Sequence, residues 1–278
     1  MSATLPSPRD IANEACAGEV HDQGAQVTRW TPAGAQPVLY VSSELRLQPG
    51  RSIRAGIPVC WPWFGPGRQP GLEPMHGFVR TATWDLVNRD DADAVTTVAY
   101  RLTSEQVTSP HWPHPYAVEL RARFGAVLEV SLTTVNTGEA AFDFEEALHA
   151  YLVVGDVHGV RIEGLGGKSF YDKVTGTQRV QEGELRFAGE TDAVFRSSDP
   201  VTLIDPALGR RLVVSTQDAA NIVVWNPWAA KAAEVPDIGN GDWERFVCIE
   251  AANALENAVV LEPGDSHTIT YRLEVLPL

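Results

Sequence analysis

The chain has 278 residues, 44% hydrophobic and 21% charged, a globular composition long enough to bury a sizeable core. Its 36 Asp and Glu against 22 Lys and Arg leave a formal net charge of −14, which repels nucleic acid and anionic lipid and excludes a general phosphate-backbone binder. Cys16, Cys60 and Cys248 are odd in number and far apart, so neither a disulfide framework nor a CxxC metal knuckle can be built from them.

Residues 1–20 lack the basic start and apolar stretch of a signal peptide, and no apolar run approaches the roughly 20 residues of a membrane span. A soluble, cytoplasmic protein is therefore expected, with residues 1–15 as a peripheral arm and a short helix near 7–17. Beyond that point the helical period is almost absent. Segments rich in Val, Leu, Thr and Tyr at 38–42, 83–87, 95–102, 119–124, 128–136, 142–153, 211–215, 221–225, 247–251 and 267–275 read as strands. In the last of these Ile269, Tyr271, Leu273 and Val275 share one face, and Thr268, Thr270, Arg272 and Glu274 the other. Turn signals such as Asn136-Thr137-Gly138 and Glu262-Pro263-Gly264-Asp265 fall between them. The pattern predicts an all-β protein, a large antiparallel β-sandwich. With no repeat, low-complexity tract or linker, residues 1–278 read as one domain.

Five clusters carry candidate chemistry. Residues 52–65 set Arg54 beside prolines and the indoles of Trp61 and Trp63, flat surfaces of the kind that stack on sugars; the plainer reading is a packed, ordered loop. In 75–80, Gly77 suits a tight turn, Arg80 is a second anion donor or an ordinary surface ion pair, and His76 reads as structural. In 145–153, His149 shares a strand face with the small Ala147 and with Tyr151, and its imidazole suits proton donation near neutrality, although a satisfied core histidine is the commoner case. In 246–253, Glu250 interrupts an apolar strand, which is costly unless the carboxylate is paired or working. In 224–231, followed by Asp237, Trp225, Asn226 and Trp228 form either a wall for a sugar or a packed turn. Residues 164–169 hint at a P-loop, but Ile162 stands where its first glycine is required. The seven histidines show no HxH or HExxH spacing, so no metal centre is expected.

Taken together, RAGIPVCWPWFGP (54–66), HGFVRTATW (76–84), ALHAYLVVGD (147–156), YDKVTG (171–176), VVWNPWAAKA (223–232) and FVCIEAAN (246–253) resemble, in order, the hexose-6-phosphate mutarotases, the glucose-6-phosphate 1-epimerase branch of the aldose 1-epimerase family. The resemblance implies the galactose-mutarotase-like supersandwich, with the site on a concave face. It implies a general acid at His149, a general base at Glu250, phosphate-holding arginines at Arg54 and Arg80, and a substrate ligand at Asp172. His76, Trp225 and Met75 complete the expected substrate-binding set. Met75 stands where family members often carry Gln, and Ala55 where they favour Gly. The expected reaction is the interconversion of α and β anomers of a hexose 6-phosphate by ring opening and closure, without cofactor or metal, in a monomer whose partner is the small sugar phosphate. A non-catalytic sugar-phosphate binding or regulatory protein on the same scaffold is the alternative. A mutarotase of unphosphorylated aldoses and a carbohydrate lyase or hydrolase are further rivals.

Overall fold

The computed structural model describes residues 8–278. The period-2 alternation becomes twenty-two strands among them, arranged in sheets of nine, eight, three and two strands. Every pairing between these strands is antiparallel.

The nine-stranded sheet is built on Ser266–Pro277, which lies between Val127–Asn136 and Arg210–Gln217. Ile269, Tyr271 and Leu273 are buried on one of its faces. On the other, the Thr268 and Thr270 hydroxyls meet those of Thr133 and Ser131 at 2.8 and 2.9 Å, a cross-strand pairing that favours this register. The eight-stranded sheet is centred on Phe246–Asn253, flanked by Asn221–Asn226 on one side and by Glu146–Leu148 and Tyr151–Val153 on the other. All eight residues of this central strand are buried. Val247, Ile249 and Ala251 join the main apolar core, which also takes in Leu120, Leu273 and Trp30 from the other sheets. Cys248, Glu250 and Ala252 therefore point the opposite way.

The start of the chain departs from the sequence reading. No helix forms over 8–17, the described part of that segment: Arg9–Ala12 and Cys16–His21 are strands that pair with each other, and Cys16–His21 pairs onward with Gln26–Pro32. Asn13 makes the turn between the first two, its Oδ1 accepting from the N–H groups of Ala15 and Cys16. Ile11 is buried in the main core, and sheet pairing overrides the local helical signal. Residues 9–12 are thus a strand rather than an arm, and residues 1–7 lie outside the described residues. Two predicted strands are also less regular than expected. Residues 38–42 make only isolated bridges, Leu39 with Leu152 and Val41 with Ala55. Residues 142–153 break into Phe142–Phe144, Glu146–Leu148 and Tyr151–Val153. The only α-helix among the described residues is Trp228–Ala233, and none is long and apolar enough to cross a membrane.

Candidate active site

His149 sits in the second of those breaks. On one side of it Leu148 pairs with Ala251, and on the other Tyr151 pairs with Cys248, so the register runs unbroken and His149 stands opposite Glu250. Its own N–H leaves the ladder to donate to the Pro58 carbonyl at 3.0 Å, which ties the strand to the loop at 57–66. His149 Nε2 and Glu250 Oε1 are 3.3 Å apart. The two residues are 6% and 1% exposed, and His149 Nδ1 and Glu250 Oε2 have no protein partner. They are two of twelve such buried side-chain atoms among the described residues, and they belong to one facing pair.

Burial shapes the protonation of this pair. Desolvation pushes the Glu250 carboxyl well above the ordinary carboxylate range, and the Asp192 charge pushes the same way, against Lys173. Desolvation also holds His149 well below its ordinary value, with Arg80 and Arg54 adding to the effect. The free site thus favours a neutral imidazole beside a carboxyl with raised proton affinity, an arrangement suited to passing a proton to and from a bound oxygen.

Aromatic groups fix the imidazole. Tyr151 stacks on it with ring centroids 4.8 Å apart, and Trp225 and His76 meet it edge-on at 6.0 and 5.4 Å. His76 itself is locked. Its Nδ1 accepts from the Gly65 N–H at 3.2 Å and lies 3.3 Å from Cys60 Sγ, which leaves the ring proton on Nε2. Gly77 is essential to this turn: its φ is +74°, and a Cβ there would come within 1.8 Å of the Trp61 carbonyl oxygen.

The arginines lie along the neighbouring cleft, a cavity of about 790 Å³ lined in part by Arg46, Arg51, Arg54, Arg80 and Asp237. Arg54 connects it to the buried pair, donating to the Tyr151 hydroxyl at 2.6 Å and to Asp237 Oδ1 at 2.9 Å. Arg80 donates to the Met75 carbonyl at 2.9 Å. The Nε of each arginine is buried without a partner. Four guanidinium groups line one opening against the three carboxylates of Glu44, Glu234 and Asp237, so the cleft carries a small local excess of positive charge in a chain that is acidic overall. Gly56 lets the chain turn beside Arg54, since with φ at +56° a Cβ would strike the Val27 carbonyl at 1.9 Å. Ala55 has no positive φ and is fully buried, so this position does not need glycine.

The structure brings His149, Glu250, His76 and Trp225 together, with Arg54 and Arg80 at the adjoining cleft. Met75 contributes its carbonyl to Arg80, and the residue is 57% exposed. Asp172 is not brought to the pair. In Ser169–Asp172 it shares a face with the core residue Phe170, and its carboxylate accepts from the N–H groups of Val174 and Thr175 and from Arg179, closing a turn. Lys173, the next residue, forms an ion pair with Asp192 at 3.1 Å and stands 5.1 Å over the Phe64 ring, within electrostatic reach of Glu250. Strand parity carried this information: a residue two along from a buried Phe faces the core, and its neighbour does not.

Sequence reasoning also missed the fastening of the cleft's far wall. Asp242 accepts from the Tyr40 hydroxyl at 2.6 Å, from the N–H and hydroxyl of Ser43 at 2.9 and 3.0 Å, and from the Gly239 N–H at 3.2 Å. This carboxylate joins the segment carrying Asp237 to the segment preceding Arg54. No local signal in either segment announces the contact.

Comparison with known proteins places the whole chain. The aldose 1-epimerase family profile matches residues 10–274. A protein of Escherichia coli K12, provisionally named glucose-6-phosphate 1-epimerase, is 36% identical over 249 residues, covering 88% of this chain and 82% of its own. A provisionally named mutarotase from Salmonella typhimurium superposes with a TM-score of 0.91 at 28% identity, over 100% of this chain and 97% of its own. A galactose mutarotase related enzyme from Lactobacillus acidophilus shares the fold at a TM-score of 0.76 and 14% identity, with 97% of each chain covered. With a family match across nearly its whole length and a relative 36% identical over most of both chains, the chain belongs to the aldose 1-epimerase family.

Proposed function

We propose that the protein is a hexose-6-phosphate mutarotase, with glucose 6-phosphate as its substrate. The observation that carries this reading is the buried, cross-strand His149–Glu250 pair at 3.3 Å, next to a cleft lined by arginines. Glu250 takes the proton from the C1 hydroxyl while His149 protonates the ring oxygen, and the hemiacetal opens. The aldehyde turns about C1–C2, and the ring closes on its other face with the roles reversed. Acid and base acting together avoid a free alkoxide, so side chains alone suffice for the chemistry.

The phosphate has a second task beyond anchorage. Arg54 and Arg80 oppose protonation of His149, and a phosphate dianion between them offsets their charge. Binding of the phosphorylated sugar thereby returns part of the lost proton affinity to the residue that acts as the acid, while the effect of burial remains. An unphosphorylated aldose would leave His149 depressed, so discrimination falls on turnover as well as on binding.

Exchange spectroscopy by NMR on glucose 6-phosphate at anomeric equilibrium tests this. Faster α–β exchange with the enzyme, strongly reduced for glucose and abolished in Glu250→Gln, is the expected result. Saturable line broadening without faster exchange would instead indicate a non-catalytic binding protein.

A further inference from the structure

Next to the facing pair lies a group that the proposed reaction does not use. Cys248 sits two residues before Glu250 on the same strand and the same face, fully buried and free of any disulfide. One ligating atom from each of His149, Cys248 and Glu250 lies within 4.8 Å of the others. Imidazole, thiolate and carboxylate are the three side-chain ligands that zinc prefers. Two ligands each about 2.0–2.1 Å from a tetrahedral zinc stand about 3.3 Å apart. His149 Nε2 and Glu250 Oε1 are already separated by that distance.

The remaining polar atoms of the same two side chains are also uncommitted to the protein. His149 Nδ1 and Glu250 Oε2 have no partner in the protein, and both side chains are more than nine-tenths buried. Cys248 and Glu250 lie on one strand, and His149 is held opposite them between two segments that both pair with that strand, so the cluster is pre-formed and needs no loop to close over it. Sequence spacing conceals it, because His149 is about a hundred residues from the other two and meets them only through cross-strand register.

We infer that His149, Cys248 and Glu250 form a capture site for zinc or a similar thiophilic divalent cation, and that the captured ion inhibits the enzyme. Binding takes the Cys248 proton, and that of Glu250 where it is present, to solvent; no electron is transferred. Three protein ligands leave a fourth position for water, the arrangement of an open zinc site. The metal is an inhibitor here and not a cofactor, because it occupies the lone pairs that the proposed acid and base need for proton transfer.

The test uses the full chain, stripped of metal by a chelator. Zn²⁺ is titrated by calorimetry and Co²⁺ by absorption, where a tetrahedral cobalt–thiolate spectrum reports the cysteine directly. One ion per chain is expected, with that spectrum. Cys248→Ala and His149→Ala should each weaken zinc binding at least about tenfold, the loss seen even for groups that merely support a ligand. Cys60→Ala should leave it unchanged. Cys248→Ser, checked for folding by circular dichroism, serves if the alanine variant does not fold. No saturable zinc binding, a cobalt spectrum without thiolate character, or a site lost in Cys60→Ala and kept in Cys248→Ala would each overturn the inference. In the glucose 6-phosphate exchange assay, zinc at the concentrations that fill the site should slow turnover, and a chelator should restore it. Filling the site without slowing turnover would overturn the inhibitory role. A protein that captures zinc but never speeds exchange would count against the proposed function and leave the metal site standing.

Discussion

The strands Ser266–Pro277 and Phe246–Asn253 are both central and rich in apolar residues, yet they are buried differently. Ser266–Pro277 alternates: Ile269, Tyr271 and Leu273 face the core, while Thr268, Thr270, Arg272 and Glu274 retain access to water. Charges cost little on that outer face, because each is hydrated. Phe246–Asn253 has no such face. One side meets the core, and the other lies beneath His149, Tyr151 and Trp225. A carboxyl on that second side is desolvated, and the fold gains nothing obvious from it. The first strand is scaffold, and its polar groups are where stability would put them. The second holds a polar group that stability would not select.

Glu250→Gln breaks this contrast most sharply. Turnover should fall at least about 10²-fold, the usual scale for an acid–base group, and His149→Ala should do the same. Stability should move in the opposite direction. A carboxyl whose folded pKa is raised costs stability at every pH above its unfolded value, and the cost grows until pH passes the folded value. The amide removes that cost, so Tm should rise by about 2 °C or more at pH 7 and hardly change near pH 4, where the carboxyl is protonated in both states. Thermal scans at the two pH values check this. An apolar truncation on the scaffold strand should do the converse. Leu273→Ala is expected to cost about 2–5 kcal/mol of stability while leaving the turnover of the folded fraction intact.

Arg80→Ala sharpens the comparison through electrostatics. Losing a charge-assisted phosphate contact of about 1.5–3 kcal/mol should raise KM for glucose 6-phosphate by about tenfold or more. It should also raise the pKa of His149 in the ligand-free protein, because one of the cations opposing its protonation is gone. In the unchanged protein, inorganic phosphate should produce a rise of the same sign by offsetting the arginines. Imidazole NMR titrations with and without phosphate measure both. An unmoved His149 in both experiments would remove the coupling between phosphate binding and the acid.

Much of this was legible in the residues themselves. The outer strands announce themselves by alternation, and Glu250 stands out because it interrupts an apolar strand. The arginines and His149 each admit a plainer structural role on sequence alone, and only the family resemblance favours the catalytic one. What the sequence concealed was long-range contact. The ion pair between Lys173 and Asp192, the Arg54–Asp237 bridge and the Asp242 hub each join segments well apart in the chain, and no local pattern encodes such meetings. The opening segment misled for a related reason, since its helical signal is weaker than the ladder that Cys16–His21 offers.

Parity separates the last two carboxylates, and the smallest expected effect tests it. Asp172 and Asp192 are both buried or half-buried and both paired with a cation, but only Asp192 bears on Glu250. Asp192→Asn removes a charge that raises the proton affinity of Glu250, so the acidic limb of the pH–rate profile should move to lower pH and turnover at a fixed pH on that limb should change severalfold. Asp172→Asn lies across the sheet from the pair and should change kcat by less than about twofold, within the range of substitutions remote from a site. Its cost should appear in the fold, because an amide is a weaker acceptor for the Val174 and Thr175 N–H groups and loses the charge that holds Arg179. A loss of about 1 kcal/mol, or about 2–4 °C in Tm, is expected for a chain of this size. Kinetics and thermal scans on the two variants side by side decide the matter. Should Asp172→Asn change turnover as much as Asp192→Asn, the ligand role implied by resemblance would stand and the face assignment in Ser169–Asp172 would fall.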